Sequence, residues 1–310
     1  MARRTCHGLA SVRPHFHNEE AAYAFVEARL WPNGAVCPHC GETKRVGKMG
    51  GKATRIGVHK CYACRKQFTV KIGTVFESSH VPLHQWLQAF YLMCGSKKGI
   101  SSNQLHRILG VTLKTAWFMS HRIREAMRSD ARFDFGSGGG AVEADETFIG
   151  REPGKEVRRA FQHKLKVLSL VDRESGQARS FVVDHVDTAT LKPIVQENVA
   201  KEARFMTDEG RWYWPIGREF AEHQTVFHSR GEYVRDDAHT NTVEGFFSIF
   251  KRGMKGIYQH CEKQHLHRYL AEFDFRYSNR VALGIGDSER ADIALLGVRG
   301  KRLTYQTARV

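Results

Sequence analysis

Two Cys-x-x-Cys pairs, Cys37-Pro-His-Cys40 and Cys61-Tyr-Ala-Cys64, stand twenty residues apart and limit what the first third of this 310-residue chain can become. Two residues between cysteines let both thiolates of one turn face a single ion, and two such turns complete a tetrahedron around Zn²⁺ at about 2.3 Å per bond. Residues 33–79 are rich in Gly, Lys and Cys and poor in large apolar side chains, so a metal must supply the folding free energy that burial cannot. The spacing therefore predicts a zinc ribbon over 33–79, with Cys37, Cys40, Cys61 and Cys64 as ligands. A redox dithiol or ordinary buried cysteines would account for one pair, but the doubled motif favours a structural metal. His39 lies inside the first knuckle and is redundant once four thiolates are present. Cys6, Cys94 and Cys261 have no partner spacing and read as small apolar residues. Seven cysteines, an odd number in a chain without a signal peptide, fit thiol chemistry better than a disulfide framework.

The same segment is strongly basic. Residues 37–75 hold nine Lys or Arg against one acid, and residues 96–128 hold seven against one, so two short segments supply 14 of the net +15 charges. From residue 129 onward, 28 basic side chains face 27 acidic ones. Positive charge concentrated on two small modules suits a polyanion, because each neutralised phosphate releases condensed counterions. No stretch approaches the run of about 18 apolar residues that spans a bilayer, and Met1–Ala10 has no apolar segment behind its arginines. A cytoplasmic protein is the expectation.

Local patterns divide the rest. Residues 18–30 read as an amphipathic helix capped by Asn18, within an N-terminal segment 1–32. From Pro82 to Met127 the pattern reads as helical, within a module expected over 80–134, and Phe135 to Gly140 reads as a flexible joint. Strands are expected at 141–149, 165–172, 178–184 and 203–207, and helices at 188–200, 217–223, 241–254 and 262–277. Three strands in succession, then a helix, then a further strand and helices predict an α/β domain with one central sheet over 141–280. Residues 281–310 are expected to form a tail.

Within 100–128, Ser101 can cap a helix carrying Leu105, Ile108 and Leu109, Gly110 can turn the chain, and Thr112 can cap a second helix. This is a helix-turn-helix outline. The second helix would bury Ala116, Trp117 and Ile123 while offering Lys114, Arg122 and Arg124 outward, as a helix lying in a major groove does. A Gly turn between two helices is also common in proteins that bind nothing, and the local charge is what favours DNA.

The larger domain carries acids where strands disfavour them. Asp145 lies in the middle of AVEADETFI, on the same face as Glu143 and Thr147 by alternation, and a divalent cation would justify a carboxylate there. Asp208 follows the short strand FMT and would emerge beside Asp145 if the two strands are neighbours; a turn aspartate is the alternative. In 241–255, Val243, Phe247, Phe250 and Met254 share one helical face, while Asn241, Glu244, Ser248, Lys251 and Lys255 share another. Glu244 could face metals and Lys251 a DNA phosphate. Asn241 and Glu244 also have the spacing of a capping box. GKEVRRAFQHKLK, with Lys155, Arg158, Arg159, Lys164 and Lys166, could grip DNA or be a solvated loop.

The stretches ADETFIG, MTDEG, HSRGEYVRDDAHTNTVEGFFSIFKRGMKGIY and KQHLHRYLAEFDFRYSNR resemble the zinc-ribbon DDE transposases of bacterial insertion sequences. The similarity runs from the ribbon to about Arg280. It implies a ribonuclease-H-like catalytic domain, preceded by the ribbon and the helix-turn-helix-like module, in which Asp145 and Asp208 are the two metal-binding aspartates. Glu244 is then the third metal-site residue, with Asn241 as the contender, and Lys251 matches the family's downstream lysine.

The resemblance implies two Mg²⁺ or Mn²⁺ ions roughly 4 Å apart, one activating the attacking oxygen and one stabilising the leaving oxygen. Water would free a 3′ hydroxyl at the element end, and that hydroxyl would attack target DNA. The implied partners are double-stranded DNA, as terminal inverted repeats and as target, and further copies of the chain in the DNA complex, which would place the protein at the nucleoid. Lys251, Lys255, Arg158, Arg159, Lys114 and Arg122 are the expected DNA contacts. A DNA-binding protein reusing an inactive transposase domain, or a nuclease without joining activity, are the competing readings.

Overall fold

The computed structural model describes residues 13–129, 134–152, 154–157 and 161–304, and the chain divides into two compact units. Residues up to Ser96, Ile100–Met127 and the segment from Asp287 form the first. Lys97–Gly99 and Arg128–Gly286 form the second.

The first unit opens with α1 (Glu19–Leu30), where Asn18 takes an extended backbone and its side chain accepts from the Ala21 N–H at 2.8 Å. That cap, with Glu19 and Glu20 beside the positive helix end, fixes the start, and Ala22, Tyr23, Val26 and Leu30 are buried. The ribbon follows as three short antiparallel strands, β1 (Val46–Lys48), β2 (His59–Cys61) and β3 (Gln67–Phe68). Next comes α2 (Leu83–Gly95), whose first two N–H groups, from Leu83 and His84, are taken by the Glu19 carboxylate at 2.8 and 3.0 Å. The helix-turn-helix outline is present: α3 (Ser102–Leu109) is capped by Ser101, Gly110 turns at φ +66°, and Thr112 accepts from Thr115 N ahead of α4 (Leu113–Met127).

The outward face expected of α4 is corrected. Arg122 and Arg124 are buried, whereas Trp117 is only partly so. Residues 119, 122, 123 and 126 fall on one helical face, and that face packs inward. Arg122 Nε donates to Leu303 O at 3.0 Å and its Nη1 to Val75 O and Glu77 O at 2.8 and 2.9 Å. It is a strut between backbone segments. The expected C-terminal tail is likewise partly ordered. Asp287–Leu296 is a helix against α2, and Arg290 Nη1 donates to Cys94 O at 2.9 Å.

In the second unit the joint expected at 135–140 is ordered, leading into the central strand of the sheet. Phe135 is fully buried and exchanges backbone hydrogen bonds with Asn198 and Ala200, and Gly136 N donates to Asp172 Oδ2 at 2.9 Å. Gly136 sits at φ +72°, and a Cβ there would meet the Ala203 Cβ at 2.5 Å, so glycine serves close packing here rather than freedom.

The sheet then forms from β4 (Ala141–Ile149), β5 (Leu165–Asp172) and β6 (Ala178–Val183), all antiparallel. After α5 (Thr188–Asn198) comes β7 (Arg204–Thr207), parallel to β4. The helix expected at 217–223 is instead a shorter one, α6 (Tyr213–Gly217), followed by a fifth strand, β8 (Glu222–Thr225), parallel to β7. Pro215 belongs in the first turn of a helix, and Gly217 packs so tightly on His223 that a Cβ would lie 2.1 Å from its ring. The chain therefore turns back where periodicity suggested it would continue.

The order β6-β5-β4-β7-β8 gives the expected single central sheet of an α/β domain. A small hairpin, β9 (Val234–Arg235) with β10 (Ala238–His239), precedes α7 (Asn241–Gly253), a π-helical turn over Met254–Tyr258, and α8 (Lys263–Ser278). Ile149, Val167 and Val171 pack against Val243, Phe246, Phe250, Leu266 and Phe273 of α7 and α8. On the other face, Val142, Ala144, Leu168 and Leu170 meet Leu191, Val195, Tyr213 and Ile216. Alternation along β4 thus sends 143, 145 and 147 toward α7.

Candidate active site and metal centre

The four ribbon thiols converge. Cys37 Sγ lies 3.7 Å from Cys64 Sγ, Cys40 Sγ lies 3.6 Å from Cys61 Sγ, and all four are within 4.8 Å of one another. A tetrahedron with Zn–S bonds of about 2.3 Å has edges of about 3.8 Å, so the donor set fits Zn²⁺. Each knuckle ends in a left-handed residue directly after its second cysteine, Gly41 at φ +75° and Arg65 at φ +63°. The Cys64 N–H, helped by that of Ala63, pulls the Cys61 thiol down to about 7 against the opposing effect of burial. His39 is exposed and outside the thiol set.

The carboxylates of the second unit are assembled from three elements. β4 and β7 are parallel neighbours with Glu143 opposite Met206, so two residues further on Asp145 stands level with Asp208. Asp145 is pushed up to about 7, chiefly by burial and then by the charge of Asp208, with Glu244 adding to the rise and Lys251 opposing it. Asp208 is also raised, by burial first and by Glu209 and Glu244, while its Oδ1 accepts from Gly210 N at 2.9 Å. Among the described residues the four thiols are the one group of three or more such donors lying within 4.8 Å of one another, so the three carboxylates do not form a single tight ligand cage.

Glu244 lies in the first turn of α7 with its side chain 43% exposed. The capping box expected from Asn241 and Glu244 is replaced by a different arrangement. Thr240 is the N-cap, its Oγ1 donates to Glu244 Oε1 at 3.1 Å, and Asn241 is exposed at the first helical position. The orphan N–H groups of the helix are taken by Glu143, which accepts from Thr242 N and Val243 N, both at 2.9 Å. Glu143 is fully buried, and its Oε1 also accepts from Thr242 Oγ1 at 2.7 Å and Arg173 Nε at 2.6 Å. Arg173 extends the clamp to Asp237 and His239 of the hairpin leading into α7. The carboxylate two residues before Asp145 thus aims the helix that bears Glu244.

Lys251 lies seven residues along α7, half-buried, with its pKa lowered by burial and by the nearby Lys255 and Lys164, and raised in part by Asp145 and Glu244. Lys255 is exposed on the π-helical turn. These three lysines form a cationic border beside the acids. Lys155 is paired with Glu152 at 2.5 Å, and Arg158 and Arg159 lie outside the described residues. In the first unit Lys114 is exposed at the start of α4, and Leu113 and, on α3, Ile108 are exposed as well.

Three further acids escaped the sequence reading. Glu146, facing away from Asp145, accepts from Trp212 Nε1 at 3.0 Å and from the Tyr213 hydroxyl, and burial pushes it up to about 8. It ties β4 to the segment just after Asp208. Glu209 accepts from His228 N and Ser229 N at 2.7 and 3.0 Å, tying that same segment to the turn at His228–Arg230. Glu143 was placed on the correct face but given no partner.

Comparison with known proteins gives two domain matches. Residues 17–67 match the transposase zinc-ribbon domain, and residues 138–278 match the ISXO2-like transposase domain. A protein of Halobacterium salinarum described as an uncharacterized protein in transposable element ISH50 is 27% identical over 277 residues, covering 84% of this chain and 91% of the relative. An uncharacterized transposase-like protein of Haemophilus influenzae is 29% identical over 98 residues, 32% of this chain and 78% of its own length. Among solved structures, a chain of the simian T-cell lymphotropic virus intasome in complex with a PP2A regulatory subunit aligns with TM-score 0.28 at 12% identity. That alignment spans 61% of this chain and 65% of the other, just under two thirds, and is too loose to argue from.

Proposed function

Because the chain belongs to the zinc-ribbon DDE transposases of insertion sequences, we propose that it cuts DNA at the ends of its element and joins the freed 3′ hydroxyl to a second DNA. Asp145, Asp208 and Glu244 hold two Mg²⁺ or Mn²⁺ ions in this reading. The observation that carries it is the electrostatic state of Asp145, a part-buried carboxyl pushed up to about 7 while facing two further carboxylates across neighbouring elements. Like charges near enough to raise one another's pKa cost free energy that a shared cation would offset, and hard oxygen donors suit magnesium. Bound there, the ions would polarise a phosphodiester oxygen and make water or a 3′ hydroxyl a competent nucleophile.

The protein's own groups do the rest. Lys251, Lys255 and Lys164 border the acids and would hold the phosphates that flank the scissile bond, and Arg158 and Arg159 are further DNA contacts in this reading. Glu143 and Glu146 fix the elements from which the acids project. The basic ribbon and the exposed Lys114 on α4 contact the terminal repeats as duplex DNA, and joining two ends calls for more than one copy of the chain. Among the described residues no helix is long and apolar enough to cross a membrane.

The test is a Mg²⁺-dependent nicking and joining assay on duplexes carrying the DNA that flanks the coding region. Asp145→Asn should abolish nicking while DNA binding persists. Full nicking by that variant would refute the site, and binding without any nicking by the unaltered protein would leave only a DNA-binding role.

A further inference from the structure

We propose that His228 is a positioning residue of this site, holding the Glu244 side chain through its Nε2; the inference rests on the carboxylate reading above. His228 opens the 3₁₀ turn His228–Arg230, between β8 and the hairpin, and no metal-site pattern singles it out in the sequence. Its Nε2 is sealed from solvent and makes no hydrogen bond among the described residues. The nearest acid is Glu244, whose Oε1 lies 3.7 Å away.

A buried ring nitrogen without a partner is destabilising, so a working site is expected to supply one. Hydrogen bonds of this kind are often long before substrate or metal arrives, and a small rotation of the Glu244 side chain would close the gap. The other restraint on Glu244 is the Thr240 hydroxyl, which contacts the same oxygen. The Glu244 side chain is 43% exposed, and without a second contact it would be free to leave the cluster.

The imidazole is held in place from behind. Glu209 accepts from the His228 and Ser229 N–H groups, and Glu209 immediately follows Asp208. The ring lies against Tyr233, with centroids 5.0 Å apart. One two-residue unit, Asp208-Glu209, therefore supplies a carboxylate to the site and also anchors the histidine that faces the third acid. His228 is close enough to Asp208 to act on its charge as well.

The experiment is Mn²⁺ binding to the full-length, zinc-loaded protein, followed by electron paramagnetic resonance without DNA, alongside single-turnover nicking at varied Mg²⁺. His228→Ala should weaken Mn²⁺ binding by about tenfold or more, the usual loss when a residue that orients a metal ligand is removed. It should also raise the Mg²⁺ needed for half-maximal nicking. His228→Gln, which keeps an N–H donor at similar reach, should recover part of both. In a Glu244→Gln background, removing His228 should change neither. Equal Mn²⁺ affinity for His228→Ala and the unaltered protein, or an equal loss in the Glu244→Gln background, would overturn the proposal; if the alanine variant melts early, His228→Gln and the double variant decide. Mn²⁺ binding and nicking that survive Asp145→Asn would instead overturn the carboxylate reading, and this inference with it.

Discussion

The four-thiol centre and the three carboxylates proposed as the catalytic site would solve the same problem, holding like-charged donors around a cation, in opposite ways. The ribbon builds its donors from two local turns, and its small apolar cluster of Trp31, Val46, Phe68 and Ile72 adds little beyond the metal. The carboxylate site draws its donors from β4, the end of β7 and α7, and rests on two well-filled apolar layers. Where the ion completes the fold, the donors sit within 4.8 Å of one another; where the fold exists first, they stand apart and are aimed by clamps. On the proposed reading, one centre would consume its cation for stability and the other would keep the cation available for chemistry.

The sharpest way to break this contrast is to remove the metals. Stripping zinc with a strong chelator should unfold the ribbon, a loss on the order of 10 kcal/mol, while the far-UV signal and melting of the second unit persist; coincident loss of both would merge the two cases. Removing Mg²⁺ with a weak chelator should leave both melting transitions in place. Next in size is Asp145→Asn, expected to slow nicking by about a thousandfold or more, equivalent to roughly 4 kcal/mol at the transition state. The same substitution should leave calorimetric stability unchanged or raised, because it removes a carboxylate that burial and Asp208 already oppose. A fold that collapses on this change would make the acid structural.

Glu143→Ala sharpens the clamp argument. It strips the cap from α7 and leaves Arg173 without its buried partner, for a loss of about 3 kcal/mol in urea unfolding. Smaller still is a pH effect at Asp274, which accepts from Ser180 N and Oγ on β6 and is pushed up to about 7 by burial. Between its unfolded value near 4 and about 7 the folded state binds the extra proton, so stability should fall as pH rises through that window. Asp274→Asn should flatten the fall, by about 1–2 kcal/mol at pH 8 after allowance for its partial exposure. The least effect is expected at Lys114→Ala, which should lower the slope of log binding constant against log salt by about one without altering cleavage chemistry. Arg122→Ala, by contrast, should lower stability rather than salt dependence, since its donors end on backbone carbonyls.

What the sequence disclosed follows from which signals are local. The Cys-x-x-Cys spacing, the Asn18 and Ser101 caps and the alternation along β4 each depend on residues a few positions apart, and each appears in the structure as expected. The apolar face of α7 was equally plain. Arg122 misled because a helix periodicity gives two candidate inward faces when both carry polar residues, and a guanidinium can satisfy its donors on carbonyls from residues 75, 77 and 303. The strand β8 was unreadable because Glu222, His223, Gln224 and Thr225 have no apolar alternation; pairing with β7 alone makes them a strand. The clamps of Glu143 and Glu209 reach partners 99 and 19 residues away, a distance over which single-chain patterns carry no register.

The helix Asp287–Leu296 joins a unit whose other parts end at Met127. In the order of synthesis, the second unit is thus a guest inserted into a host that is still unfinished. At about 5–20 residues per second a ribosome needs roughly ten to thirty seconds to cross the intervening stretch, during which the apolar surface of α2 lacks its closing partner. A chain cut short before residue 287 would carry an intact guest on an open host, so a nonsense mutation there should yield a sticky, chaperone-bound product rather than a trimmed but working enzyme.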